Sequence, residues 1–458
     1  MGAGLSTSPI VAASIADSCT IRPAADLLVF SSRSRGILAR KTGIRIVLIR
    51  VLGFTIQSTG STTATNMPIR TRREMAERLQ EVMSHAYTEL EERQRLEAET
   101  SLLKTYLLEA HSDKSTHGDI RALLRGAFGQ AGLGGKSEAH VRETEEEFFY
   151  NIDVRWATNT AEFFVDASDQ RFWILHSTSN STKADRILRR VIANDSHLDS
   201  AWLPMQLLEQ VAKMGLFRGL GLDYDRREVP DVDFDAPDAP VEYLKMQLWG
   251  NRAREVLRVL REPNAFPDAT TLSKVRVKHW HDPDVDQDSF SLDDVKWDGK
   301  ITARGTSFQS HINLVTSVYR AYAEKVKGFE RNFSLRYGAP QGVEVRKRGP
   351  CSVSGEPLNI TFGRPIADME RFLDSVFSGA EPFRLWGAPV LLGKDYFRVT
   401  ALDLHVTHRI TFEITPDFMR VYLADGSCGN TIARLYTNLQ HYYDSRVTMR
   451  SGEGETLF

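Results

Sequence analysis

Two histidines two positions apart with carboxylates just beyond, His279-Trp-His281-Asp282-Pro-Asp284, are the residues of this chain whose types and spacing best suit catalysis. On a strand, residues i and i+2 share a face, so both imidazoles would point one way, and Asp282 and Asp284 could complete a nitrogen-and-oxygen set for a divalent metal. That chemistry is a metal-dependent hydrolase or nuclease. His405 and His408, with Asp403, form a looser group of the same kind. Against it, His-x-His beside Asp is common in surface loops, and no third His or Cys is spaced to join either pair. The sequence therefore assigns no metal and calls for no cofactor. A Walker motif, a Gly-x-Ser-x-Gly elbow, a kinase set and a dinucleotide fingerprint are all missing, and Gly132-Leu-Gly-Gly-Lys136 lacks the spacing of a phosphate loop.

Alternating cations offer a different chemistry. Lys274, Arg276 and Lys278 occupy every second position of one strand-like run, and Lys300, Thr302 and Arg304 do so in another. Each trio then lies on one face of its strand, and such a face neutralises phosphate, which makes DNA or RNA a partner. The plainer reading is a solvated sheet face, because polar-out alternation marks any half-covered antiparallel sheet. Arg346, Lys347 and Arg348 add a basic run before Pro350. Trp173, Trp202, Trp249 and Trp386 sit in apolar surroundings and are expected to pack in the core. Cys428, at an expected helix start, would have a lowered thiol pKa if exposed, whereas a buried, inert cysteine is the commoner case.

The remaining composition narrows the class. With 458 residues, 41% hydrophobic and 26% charged, the chain has material for about three domains and is neither collagenous nor disordered throughout. Its net charge is −2, so a basic surface must be local. The cysteines at 19, 351 and 428 show no CxxC spacing, which leaves neither a zinc ribbon nor a disulfide framework and makes a reducing cytoplasm the simplest location. The longest apolar run, Ile44 to Ile56, carries Arg45 and Arg50 and falls short of the roughly 20 apolar residues of a membrane span.

Residues 1–66 stand apart, with seven basic residues against two acidic, a balance of +5 that leaves −7 for the rest. A disordered tail, upstream sequence before a true start at Met67, and an organelle transit peptide all fit that composition. Residues 67–135 read as a helical segment: strong helix formers run from Arg70 to about His111, a second helix spans Gly118 to Phe128, and a Gly-rich stretch to Lys136 follows. The long helix could pack on its own domain or serve a protein partner or self-association. Residues 136–240 read as a first small α/β unit, with three strands between Phe148 and His176, helices over 183–193 and 204–214, and an acidic, Pro-rich linker from Asp223 to Pro240.

Residues 241–335 and 336–458 read as two copies of one plan, clearest over 242–328 and 356–445. Each has a strand, a Gly, an amphipathic helix, several antiparallel strands and a last helix carrying Tyr. The fold class is therefore α+β: a duplicated antiparallel sheet with two helices on one face, plus the helical segment and the small unit. In the second copy, alternation sends Ile410, Phe412 and Ile414 to the covered face and Arg409, Thr411 and Glu413 to the open one.

Gly299, Lys300, Ile301, Gly305, Ser307 and Tyr319, a Gly-Lys strand leading through a Gly-x-Ser turn into a helix, resemble the last strand and helix of the repeat in the TATA-binding-protein family. The resemblance covers 242–445 and implies a saddle of two units whose open sheet meets nucleic acid. Paired Phe wedges are absent, and the second copy has Ala424, Asp425 and Gly426 where the Gly-Lys pattern would fall, so a kinking mode of DNA binding is not implied. The expected function is a non-enzymatic binding or adaptor protein. A scaffold acting through the long helix and the hydrolase at His279–Asp284 stand as alternatives.

Overall fold

The computed structural model describes residues 69–93, 102–111, 119–131, 137–156, 159–229, 240–282, 284, 286–338 and 352–457. The expectations for residues 1–66, for Cys19, Cys351 and Arg346–Arg348, and for most of the Gly-rich and acidic linkers lie outside them.

A helix α1 (Arg72–Arg93) comes first, then β1 (Leu103–Ala110), α2 (Ile120–Gln130), β2 (Ser137–Glu143), β3 (Phe149–Trp156), β4 (Asn159–Asp166), β5 (Phe172–Ser177) and α3 (Ser181–Asn194). Next come β6 (Leu198–Ser200), α4 (Met205–Val211), β7 (Leu216–Asp225), β8 (Tyr243–Trp249), α5 (Ala253–Leu260), β9 (Leu272–Trp280), β10 (Phe290–Lys296), β11 (Lys300–Gly305) and α6 (Phe308–Phe333). The chain continues through β12 (Ser334–Gly338), β13 (Ser352–Ser354), β14 (Leu358–Thr361), α7 (Met369–Phe377), β15 (Leu385–Gly393), β16 (Tyr396–Asp403), β17 (Arg409–Ile414), β18 (Phe418–Ala424), α8 (Gly429–Tyr442) and β19 (Thr448–Arg450). No described helix is long and apolar enough to cross a membrane.

The protein is α+β, and its repeat occurs three times rather than twice. The order strand, helix, four-strand meander, helix runs over β1 to α3, and again over β14 to α8. In both copies the last meander strand returns antiparallel beside the first strand, β5 against β1 and β18 against β14. The middle copy is a variant of the same order, running from β6 and α4 through β7, β9, β10 and β11 to α6: β8 and α5 are inserted between β7 and β9, and both β11 and β6 pair β1 instead of each other. The copy expected from residue 242 thus begins earlier, and the stretch expected as a helical segment plus a small unit is itself a repeat.

Local signals explain most of these elements. Asp119, Asn180, Ser307 and Asp368 each accept a hydrogen bond from a backbone N–H in the first turn of α2, α3, α6 and α7. Gly305 has φ of +138°, and a Cβ there would lie 2.4 Å from the Phe290 carbonyl oxygen, so only glycine fits the strand-to-helix turn before Ser307. The helix expected as far as His111 is corrected: β1 occupies 103–110. Its eight residues are all buried, because β5 flanks one edge, β11 and β6 the other, and helices cover both faces. A strand in that position shows no alternation and cannot be told from a helix by periodicity.

The first two repeats join edge to edge in one long sheet of order β2-β3-β4-β5-β1-β11-β10-β9-β7-β8, and the third repeat builds a separate sheet. Their helices lie on opposite faces of the long sheet. Tyr106 and Leu108 face α2 and α3, whereas Leu107 and Ile301 face α4 and α6. The bare front of the first repeat is closed by α1, whose Met75, Leu79 and Met83 pack on Phe149 and Phe164. Residues 242–445 therefore do not form one continuous open saddle: their two sheets are distinct, and α6 packs against α8.

Candidate functional site

Across the face of the second repeat opposite α4 and α6, the strand register sets polar residues in rows. Arg276 lies opposite Asp294 and Asp294 opposite Thr302, Lys274 is opposite Lys296, and Leu292 separates Lys278 from Arg304. Asp294 gathers three cations: Arg276 donates to both its oxygens at 2.5 and 2.7 Å, Arg304 lies at 3.5 Å and Lys274 at 3.8 Å. Aromatic rings are interleaved with them. Arg276 and Lys274 sit 3.7 and 4.8 Å from the centre of Trp249, and Lys278 sits 3.6 Å from Phe290 and 5.0 Å from Trp280. Burial and the neighbouring Arg218 hold the Lys278 ammonium below its ordinary value. Trp249 reaches this face because Gly219 (φ +153°) has no Cβ, which would otherwise lie 2.4 Å from the indole.

The face runs into a cavity of about 310 Å³ lined by Lys245, Lys274, Lys296, Lys300, Thr302 and Trp297. A second cavity of about 660 Å³ shares Lys296, Trp297 and Lys300 and continues past Tyr106 and Trp202 to Tyr442. All six positions expected from alternation thus lie on one sheet face, but Lys300 and Arg304 are buried in it: Lys300 lies against Tyr106 and is ion-paired at 2.6 Å to Asp185 of α3, and Arg304 lies beside Asp294.

The residues expected for a metal centre do not assemble. His279 Nδ1 is hydrogen-bonded to the Met214 carbonyl, His281 to Asn313, and Asp282 accepts from the Asp284 backbone. Each has a local partner where β9 ends, and among the described residues no group of metal-ligating atoms gathers there.

Two buried polar groups escaped sequence reading. Thr105 Oγ1 lies 2.8 Å from His176 Nδ1 and 2.7 Å from His311 Nε2, and His311 Nδ1 lies 2.6 Å from Asp293. This Asp–His–Thr order resembles a nucleophile relay, but all four residues are buried and none lines either cavity, so it ties β1, β5, β10 and α6 together. Burial and the nearby His311 push His176 down to about 3.

The second group lies where the three repeats meet. Glu109 at the end of β1 takes a hydrogen bond from Arg171 at 2.7 Å and pairs with His405 in the β16–β17 turn. Arg171 also forks onto Glu330 of α6 at 2.8 and 2.5 Å. Deeper in, Arg434 of α8 bridges Asp199 and Asp403. Burial alone would raise the Glu109 carboxyl, yet His405, His111 and Arg171 outweigh it and hold it well below its usual range. Burial likewise opposes a charge on His405, and Glu109, Asp199 and Asp403 overcome it, so its pKa rises. Cys428 is fully buried, and burial together with Glu109 pushes its thiol well up, so it is not an activated nucleophile.

A family model described as MJECL33-like protein matches residues 63–458. A Methanocaldococcus jannaschii protein, named uncharacterized protein MJECL33, is 27% identical over 418 residues, covering 83% of this chain and 94% of that protein.

Proposed function

The chain belongs to the MJECL33-like family, and from that premise we propose that it is a non-enzymatic binding protein whose second repeat holds a single-stranded stretch of DNA or RNA. The supporting observation is the interleaving of cations and rings on one part-open face, Lys274, Arg276 and Lys278 beside Trp249 and Trp280. Phosphates are neutralised by the former and splayed bases stack on the latter, the combination by which single strands are held without base-specific readout. Helices on both faces of the long sheet leave no continuous underside for a duplex, which favours a single strand. The likeness to the TATA-binding-protein repeat enters this reading only through the order strand, helix, four-strand meander, helix. The scaffold alternative is weakened, because α1 spends Met75, Leu79 and Met83 on its own sheet. A cytoplasmic location is part of the proposal.

The test is anisotropy of a labelled single-stranded oligonucleotide across a salt series, with wild type and a Lys274→Glu/Arg276→Glu variant. Binding that weakens steeply with salt, and drops about tenfold or more in the variant, supports the proposal. No binding by wild type at low salt, or equal binding by both proteins, refutes it.

A further inference from the structure

Glu109, His405 and Cys428 lie outside the proposed nucleic-acid face, at the seam between the first and third repeats. One donor atom from each lies within 4.8 Å of the other two, and all three side chains are fully buried. Glu109 Oε1 is 3.4 Å from Cys428 Sγ and 3.5 Å from His111 Nδ1. The last two separations match the edges of a tetrahedron around an ion bonded at roughly 2.0 Å to nitrogen and oxygen and roughly 2.3 Å to sulfur, while His405 Nε2 and Glu109 Oε2, in hydrogen-bond contact without the ion, would move apart to admit it. Among the described residues His111 Nδ1 is itself a buried atom with no partner at hydrogen-bond geometry, Glu109 Oε1 at 3.5 Å being its ion-pair neighbour.

We propose that Glu109, His405 and Cys428 ligate a divalent ion of the zinc class, with His111 turning its ring to supply the fourth donor. The donor chemistry selects the ion: imidazole and thiolate suit zinc, whereas magnesium and calcium take oxygen cages. The charge count closes as well. An ion of charge +2 is matched by the Glu109 carboxylate and the Cys428 thiolate, while the two histidines bind neutral. Arg171 donates to Glu109 Oε1 at 2.7 Å and to Cys428 Sγ at 3.4 Å as well as forking onto Glu330, so it would serve as an outer partner to two of the ligands, its own charge balanced by Glu330. Four protein donors make the site closed and structural, with no vacancy for a reacting water. It would tie the end of β1 to the start of α8. The way in lies past His111, whose side chain keeps 20% of its exposure, with the rings of His405 and His408 6.3 and 6.1 Å from its own.

The experiment uses the full chain, produced with zinc and, separately, with cobalt in the medium. Metal content is measured after gel filtration, and the cobalt form is examined by absorption. About one equivalent of zinc per chain, with a thiolate-to-cobalt charge-transfer band and intense tetrahedral visible bands in the wild type, supports the site. The Cys428→Ser chain should lose the charge-transfer band, and His111→Ala should lose metal faster to a chelator. A wild type that retains neither metal, or a cobalt spectrum unchanged in Cys428→Ser, overturns the proposal. The wild-type spectrum decides even if a variant misfolds. Oligonucleotide binding is read separately and bears only on the second-repeat face.

Discussion

Glu109 and His405 stand 296 positions apart in sequence and form one buried pair, with neither side chain exposed to solvent. Removing one partner strands a charge in a medium that cannot solvate it. In the metal-free protein Glu109→Ala should therefore lower unfolding stability by about 3–5 kcal/mol. Denaturant titration of Glu109→Ala, His405→Ala and the double variant checks this: the double variant should cost clearly less than the two singles added together.

Acid should unfold the protein by way of buried neutral histidines. His176 and His441 are both pushed down to about 3, chiefly by burial, from an ordinary value of 6.5. The unfolded chain therefore binds more protons between those limits, so stability rises with pH through this window and is lost as pH falls from 6.5 toward 3. Each group contributes a slope of about 1.4 kcal/mol per pH unit. His441→Phe keeps a ring against Trp297, on which His441 stacks at 4.1 Å, and removes one titrating group. Its melting temperature should fall less between pH 7 and pH 5 than that of the wild type.

Thr105→Val tests the buried relay. The hydroxyl serves two imidazoles, and valine of nearly the same shape leaves both without it. A loss of about 1–3 kcal/mol follows if the cost is that of unmet buried polar groups. A loss within error of zero in denaturant titration would mean that the histidines find other partners.

Gly219→Ala should uncouple Trp249 from the cation face. The new methyl would meet the indole and the Leu248 carbonyl oxygen at 2.4 and 2.5 Å, in a backbone region that alanine avoids. The expected result is a fold kept at lower stability, altered tryptophan emission, and weaker oligonucleotide binding with an unchanged salt slope. A steeper loss in slope than in affinity would place the defect in the phosphate contacts instead.

How much of this was legible beforehand depended on which residues see water. The face of Lys274, Arg276, Lys278, Thr302 and Arg304 could be read because one side of those strands is covered and the other is not. The helix starts at Ser307 and near Asn180 could be read because capping is local chemistry. The strand 103–110 could not, being covered on both faces. The first repeat was hidden for the same reason, since it begins with that strand. Glu109 and Cys428 had no local signal either, because what brings them together is the packing of β1 on the end of α8. His405 was noticed for its neighbours His408 and Asp403, and the partner that matters lies in another repeat.

From Gly429 to His441 every residue of α8 is buried. An ordinary amphipathic helix lays one stripe on a core and leaves the other wet, and can peel away at modest expense. This one is a keystone. During synthesis the earlier repeats must wait, with the hollow that receives it open to solvent, until its residues have left the ribosome. Docking of α8 should thus be the step that closes the third repeat on α6 and β7.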